Sequence, residues 1–293
     1  MFTTRSHDRK APATRPPTAV GPAWREAAVV LLYHGSPARP EAAAAAKDHA
    51  ARLAEPAVFA EVATGALNGP HSVEAALAGV KAATVFLVPL FMSEGDMVRR
   101  AIPDRLRLDG PVTHIGHRTI HYCAPVGTHP ALAGIVAARV RRACREHVFD
   151  PAATRVLLIG HGSRANPASS RAAADCAASL SVRDEFAAID VAFLEEAPFL
   201  ADYIPAASGP TVACGLFACR GTHAERDVRQ LLRVSSAGTI AGPRSPPPVY
   251  AGPIGTDPAI VGIVTARIEE TGIPVGAASP ANGVSLSNGT RQT

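Results

Sequence analysis

The sequence predicts an α/β fold made of two tandem units, and three observations carry that reading. The first is the run Val156-Leu157-Leu158-Ile159, which passes straight into Gly160-His161-Gly162-Ser163-Arg164. Consecutive apolar residues that end in a glycine turn read as a strand buried on both faces, the pattern of a parallel sheet. The second is that the phrase occurs twice, because Val29-Val30-Leu31-Leu32-Tyr33-His34-Gly35-Ser36-Pro37 precedes it by 127 residues. The third is another matched pair, Ala124–Val136 and Gly252–Val264, offset by 128 residues. Two independent anchors at nearly one spacing mark an internal duplication. Each half has the size of an ordinary domain.

Residues 1–27 are rich in Pro, Thr, Ala and Arg and lack periodicity, so a disordered tail is expected. Residues 28–33 form the first strand. An alanine-rich helix follows from Pro40 to about Leu53, then a strand from Val58 to Thr64 and a helix from Ser72 to Lys81. Thr84–Leu90 is the third strand, Met97–Leu106 a helix, His117–Tyr122 a short fourth strand, and Pro130–His147 the closing helix. The second half repeats the rhythm, with strands near 155–160, 189–194, 211–217 and 248–251. Its helices fall near 167–181, 198–207, 224–233 and 258–271. Asn166-Pro167 opens the first of these, with Asn as cap and Pro at the first helical position. Arg244–Pro248 is a stiff loop before the last strand. Strands alternating with helices imply parallel βαβ units with right-handed crossovers. The domains are expected at 28–150 and 151–275, with a flexible Ser/Asn/Gly-rich tail over 276–293.

At 293 residues and 47% hydrophobic, the chain can bury two full cores. No apolar run approaches the roughly 18 residues that span a bilayer, and the start lacks the apolar core of a signal peptide. A cytoplasmic protein without membrane partners is expected. The net charge is +4, but residues 1–27 hold five basic residues against two acidic ones, so the remainder is about neutral. A nucleic-acid binder carries its charge on the folded surface, so nucleic acid is not an expected partner. The cysteines are Cys123, Cys144, Cys176, Cys214 and Cys219, without a Cys-x-x-Cys. They read as small buried residues rather than a disulfide framework or a thiolate zinc site.

In open α/β sheets, ligands bind outside the carboxyl ends of the strands. His161 sits at such an end. His223 lies just past the third strand of its half, in Cys219-Arg220-Gly221-Thr222-His223. Two imidazoles on one rim can hold a divalent first-row metal and leave coordination positions open. Glu195 and Glu196 follow the second strand and offer a carboxylate ligand or base. Arg164 and Arg220 flank the histidines and suit a substrate bearing carboxylates. In the first half only His34 remains, because Met97 stands opposite His223 and Asn68 falls roughly opposite the Glu195-Glu196 pair, with a small gap. Methionine is a poor ligand for such ions, so the metal is expected in the second half, with the first half as the other wall of a cleft. His114, His117 and His121 read as a solvated strand edge, and His7, His49, His71 and His147 as surface residues.

Gly160–Arg164 after one strand, Phe193-Leu194-Glu195 after the next and Gly221-Thr222-His223 after the third resemble the sirohydrochlorin chelatases of the class II chelatase family, in their long two-domain form. The resemblance covers residues 28–272. It implies two tandem flavodoxin-like α/β domains, each with a mainly parallel four-stranded sheet flanked by helices, facing each other across a cleft. It also implies a lyase that inserts Co²⁺ or Fe²⁺ into sirohydrochlorin without ATP, for cobalamin or sirohaem synthesis, with cobalt favoured. His161 and His223 map onto the family's metal-binding histidines, and Glu195 onto its acidic residue. Candidate substrate contacts are Arg164, Arg220, Ser163, Gly162 and His34, with Arg99 or Arg226 as further grips on the rim. No permanently bound cofactor is implied; the metal ion is a substrate, and the protein is expected as a monomer or homodimer. Two other readings stay open: a tetrapyrrole or metal carrier without turnover, and a protohaem ferrochelatase. A histidine phosphatase is disfavoured, since Tyr33 and Gly160 precede the histidines where that class has arginine.

Overall fold

The computed structural model describes residues 22–37, 39–164, 166–203, 209–232 and 248–273. The first half is a five-stranded sheet of β1 (Ala27–Tyr33), β2 (Glu61–Ala66), β3 (Thr84–Pro89), β4 (Val112–Ile115) and β5 (Arg118–Tyr122), in the order β2-β1-β3-β5-β4. The second is a four-stranded sheet of β6 (Arg155–Gly160), β7 (Ala188–Phe193), β8 (Thr211–Gly215) and β9 (Val249–Pro253), in the order β7-β6-β8-β9. The second sheet is parallel throughout. In the first, β4 runs antiparallel to β5, which corrects the expected four strands to five. The added strand gave little signal because only Thr113 of its four residues is buried, so no apolar period marks it. The helices are α1 (Pro22–Arg25), α2 (Ala44–Ala54), α3 (Val73–Gly79), α4 (Ile102–Leu106), α5 (Leu132–His147), α6 (Ala168–Ser181), α7 (228–232) and α8 (Ile260–Glu269). None of the described helices is long and apolar enough to cross a membrane.

Every residue of β1 is buried, as a central parallel strand covered on both faces requires. Its alternate residues feed two cores. Ala28, Val30 and Leu32 join a cluster confined to the first half. Ala27, Val29, Leu31 and Tyr33 join a larger one that also takes in Val156, Leu158, Val212 and Cys214 of the second half. One apolar layer therefore runs between the two sheets. Its helices are exchanged: α5 packs on β8, β9 and α6, whereas α8 packs on β3 and α2.

Each exchanged helix carries a buried arginine that reads the other half. Arg139 on α5 donates to the Ala251 carbonyl at 3.0 Å and to Asp257 at 2.7 Å. Arg267, its counterpart on α8, donates to the Pro125 carbonyl at 3.0 Å and to Thr128 at 2.8 Å. His129 occupies the place of Asp257 in the first half, and the carboxylate for Arg267 comes from Glu270 at the end of its own helix, at 2.7 Å. The Arg139 side chain is only 8% exposed, so removing its partner leaves a charge with little water. Asp257→Ala is expected to cost about 2 kcal/mol, read as a lower urea midpoint at unchanged slope.

Several surface expectations are corrected. Chain order begins before residue 28: Trp24 is buried and stacks on Phe59 with ring centroids 5.2 Å apart. Residues 1–21, which include His7, and 274–293 lie outside the described residues. So do residues 204–208 of the expected helix near 198–207, and residues 244–247 of the expected stiff loop. What is described of that helix is a 3₁₀ turn at Leu200–Asp202. His49 is 1% exposed, not a surface residue, because its Nε2 bonds the Gly255 carbonyl of the other half at 2.8 Å.

His121 is buried against Phe86 rather than solvated. Burial first, and the neighbouring His114 second, hold its imidazole below the ordinary 6.5. His129 is lowered too, by burial and then Arg267, with Glu270 opposing. A histidine depressed in the folded state binds its proton more readily when unfolded. Stability is thus full above the unfolded value and declines as pH falls below it. The unfolding free energy is expected to be smaller at about pH 5.5 than at about pH 7.5. The His121→Phe variant should show a smaller difference in paired urea titrations.

Candidate functional site

The two halves build their rims with the same backbone bonds. In the second, the Leu194 N–H donates to the Gly160 carbonyl at 3.2 Å, Glu195 to His161 at 3.0 Å, and Leu216 to Ile159 at 2.7 Å. In the first, Leu67 donates to Tyr33 at 2.9 Å, Asn68 to His34 at 2.9 Å, and Leu90 to Leu32 at 2.7 Å. Asn68 is therefore the direct counterpart of Glu195, without the small gap expected from sequence.

His161 leaves β6 at its carboxyl end, and Gly162 turns the chain at φ +80°. Gly162 is buried, and a Cβ there would lie 2.9 Å from Phe193 Cβ and Glu196 Cγ. It contributes backbone and the sharp turn. The His161 Nδ1 lies 3.2 Å from the Gly162 carbonyl. A carbonyl only accepts, so that bond is made by the form of the ring with hydrogen on Nδ1. Nε2 stands 3.7 Å from Glu195 Oε1, with both side chains about half exposed. The two acidic residues separate in role. Glu195 faces the imidazole, whereas Glu196 accepts the Ser163 backbone N–H at 3.0 Å and pins the loop. Asn166 Oδ1 accepts from the Ala168 N–H at 2.9 Å, but Pro167 holds the cap position of α6, so both residues stand one position earlier than expected.

Arg164 donates from Nε to the Glu195 carbonyl at 3.3 Å and lies over the Phe199 ring at 6.0 Å. It joins Ser163, Leu194, Glu195 and Phe199 around an open pocket beside the imidazole. Arg220 is exposed and pairs with Glu225 at 3.3 Å, which also holds Arg229 at 3.2 Å. His34 is exposed, edge-on to Phe91 at 6.5 Å.

His223 lies in a π-helical turn, Thr222–Asp227, that continues into α7. β6 and β8 are adjacent and parallel, so its backbone is on the rim that holds His161. Its side chain lies outside what is described. Among the described residues, no group of three or more His, Cys, Asp or Glu side chains converges on a metal position. The first half has the matching π-helical turn, Met97–Ala101, and Met97 there is 38% exposed.

Two tyrosines that the sequence pattern does not single out brace these turns. The Tyr122 hydroxyl donates to the Val98 carbonyl at 2.8 Å, and the Tyr250 hydroxyl donates to the Ala224 carbonyl. Burial raises both phenols far above the ordinary 10. They stay protonated donors at any working pH. Their common position in the two repeats, 128 residues apart, was the available signal. All five cysteines are free, four of them buried, with the Cys123, Cys176 and Cys214 thiols pushed up to about 12.

The family model for CbiX matches this chain twice, over residues 28–143 and 155–271. The chain belongs to the CbiX family. Both matches fall on the halves that carry the duplicated rims. A relative from Halobacterium salinarum, described as a probable sirohydrochlorin cobaltochelatase, is 29% identical over 274 residues, covering 85% of this chain and 93% of its own. A solved structure of CbiX, described as the terminal enzyme of sirohaem biosynthesis in denitrifying bacteria, is 26% identical with a TM-score of 0.62. It covers 83% of this chain and 98% of its own. DR2241 from Deinococcus radiodurans, a multi-domain protein with structural similarity to chelatases and two additional novel domains, superposes with a TM-score of 0.72 at 28% identity. That match covers 82% of this chain, which spans about half, 54%, of the Deinococcus protein.

Proposed function

We propose that this CbiX-family chain is a sirohydrochlorin chelatase, a lyase that inserts Co²⁺ or Fe²⁺ into sirohydrochlorin. The observation that carries the reading is the pairing of His161 Nε2 with Glu195 Oε1 at 3.7 Å on the sheet's carboxyl rim. An imidazole that presents Nε2 to a carboxylate suits both tasks of the reaction. It can hold a partly desolvated divalent ion with positions open, and it can accept protons. Two pyrrolic protons leave as one dication enters, so charge balances with one proton taken at Glu195 and one at His161 Nε2 once the ion has left that nitrogen. His223, from the facing π-helical turn, is the second metal ligand in this reading. Arg164 and Arg220 are grips for the macrocycle's carboxylates, with Ser163, Gly162 and His34 lining its seat.

The first half keeps the backbone of a site without its ligands. Asn68 and Met97 stand where the second half has Glu195 and His223, so we assign the metal to the second half. Cobalt is the favoured ion, supported by the cobaltochelatase among the relatives. His and carboxylate ligands accept iron as well.

The test is anaerobic absorbance of sirohydrochlorin mixed with the protein and either Co²⁺ or Fe²⁺. Metallation faster than the protein-free reaction is expected with at least one ion, and the ratio of initial rates gives the preference. Tight binding of the tetrapyrrole with no acceleration by either ion would instead make the protein a carrier.

A further inference from the structure

The first half's π-helical turn meets the start of α6 in the second half. There Asp96, Arg99 and Arg100 line one pocket together with Asn166, Pro167, Ala168 and Arg171. The contact is direct, since Asp96 is hydrogen-bonded by Arg100 and by Asn166, and these hold its carboxyl below the usual range, Arg100 first. Asn166 ends the loop that His161 begins, so the pocket adjoins the candidate site.

Its charge is lopsided. Three guanidinium groups line it against one carboxylate. Arg100 is paired with Asp96 at 2.8 Å, and Arg99 with Glu94 at 2.9 Å. These side chains are 74% and 62% exposed, so the pairs are weak and readily exchanged for a ligand's acid. Arg171 is exposed and has no acidic partner among the described residues. The N-terminal end of the 14-residue helix α6 adds a partial positive charge.

We infer that Arg99, Arg100 and Arg171 form a carboxylate-binding subsite that spans the two halves, and that it takes one peripheral acid group of a polycarboxylate macrocycle. The choice of macrocycle rests on the proposed function. Guanidinium forks bind carboxylates with two parallel hydrogen bonds, which lysine cannot reproduce. Because the arginines come from both halves, an acid group seated there bridges them while the ring lies over the His161 rim.

The test uses the full chain and two readouts. The first is fluorescence titration with uroporphyrin, an eight-carboxylate free-base porphyrin, in the absence of metal. The second is the KM for sirohydrochlorin in the metallation assay. Arg171→Ala is expected to weaken porphyrin binding and raise KM by about tenfold, with kcat changed less than about twofold. Arg171→Lys should recover only part of the loss, and Arg52→Ala, which removes an exposed arginine on α2, should change neither. Arg171→Ala values equal to those of Arg52→Ala would overturn the subsite. If the wild type fails to metallate sirohydrochlorin yet Arg171→Ala still weakens porphyrin binding, the subsite stands and the chelatase reading falls.

Discussion

His161→Ala is expected to lower catalysed metal insertion by at least about 100-fold while leaving the fold intact. The two halves of that expectation have separate causes. In the proposed mechanism the loss follows from removing one metal ligand and one proton acceptor together, at the only point where an imidazole of the second half is seen beside a carboxylate among the described residues. The structural tolerance follows from exposure, since the His161 side chain is 43% exposed and truncating it opens no core cavity. The turn beneath it loses the ring's bond to the Gly162 carbonyl but keeps the Gly162 backbone conformation and the Glu196 bond to Ser163. Steady-state metallation and a thermal melt of the same preparation check both. Near-native turnover in a folded His161→Ala variant would remove the histidine from the mechanism.

Gly35→Ala is expected to be among the most damaging single-methyl changes in the described chain, at about 3–5 kcal/mol. Gly35 has φ +70°, which a side chain adopts with strain. The added Cβ would also stand 2.1 Å from the Asn68 carbonyl oxygen and 2.8 Å from Ala66 Cβ. The oxygen is backbone, and it belongs to a residue whose own N–H bonds the His34 carbonyl, so shifting it disturbs the rim. Gly262→Ala is the matched control. It lies in α8 with nothing within 4 Å of the new Cβ, and should stabilise by about 0.5–1 kcal/mol through helix propensity. Urea midpoints of the two variants should move in opposite directions. A Gly35→Ala variant as stable as the wild type would show that the first half's rim does not need its turn.

The parts of the fold that were legible in sequence are those written in apolar runs. Val29–Leu32 and Val156–Ile159 are buried on both faces, and their strands stand where the runs do. Burial that comes from the partner half left no local mark. The α5 pattern shows an apolar stripe but not which sheet receives it, so the helix exchange, the buried Arg139 and the buried His49 were unreadable. The β4 strand was missed because one buried threonine makes no period. At the site, His161 and Glu195 were legible from their places after strands, and the structure brings them together. The division of labour between Glu195 and Glu196 was not, because it depends on which carboxylate reaches the Ser163 N–H. The π-helical turns were also hidden, since a tyrosine from a distant strand braces each one.

The most direct test of the central claim is a turnover count. Sirohydrochlorin and the preferred ion, in large excess over protein, would be followed anaerobically by absorbance for the wild type and for His161→Ala. Many metallated macrocycles per wild-type molecule are expected, with the variant close to the protein-free rate. One equivalent bound and no further product, or equal rates for the two proteins, would contradict that claim.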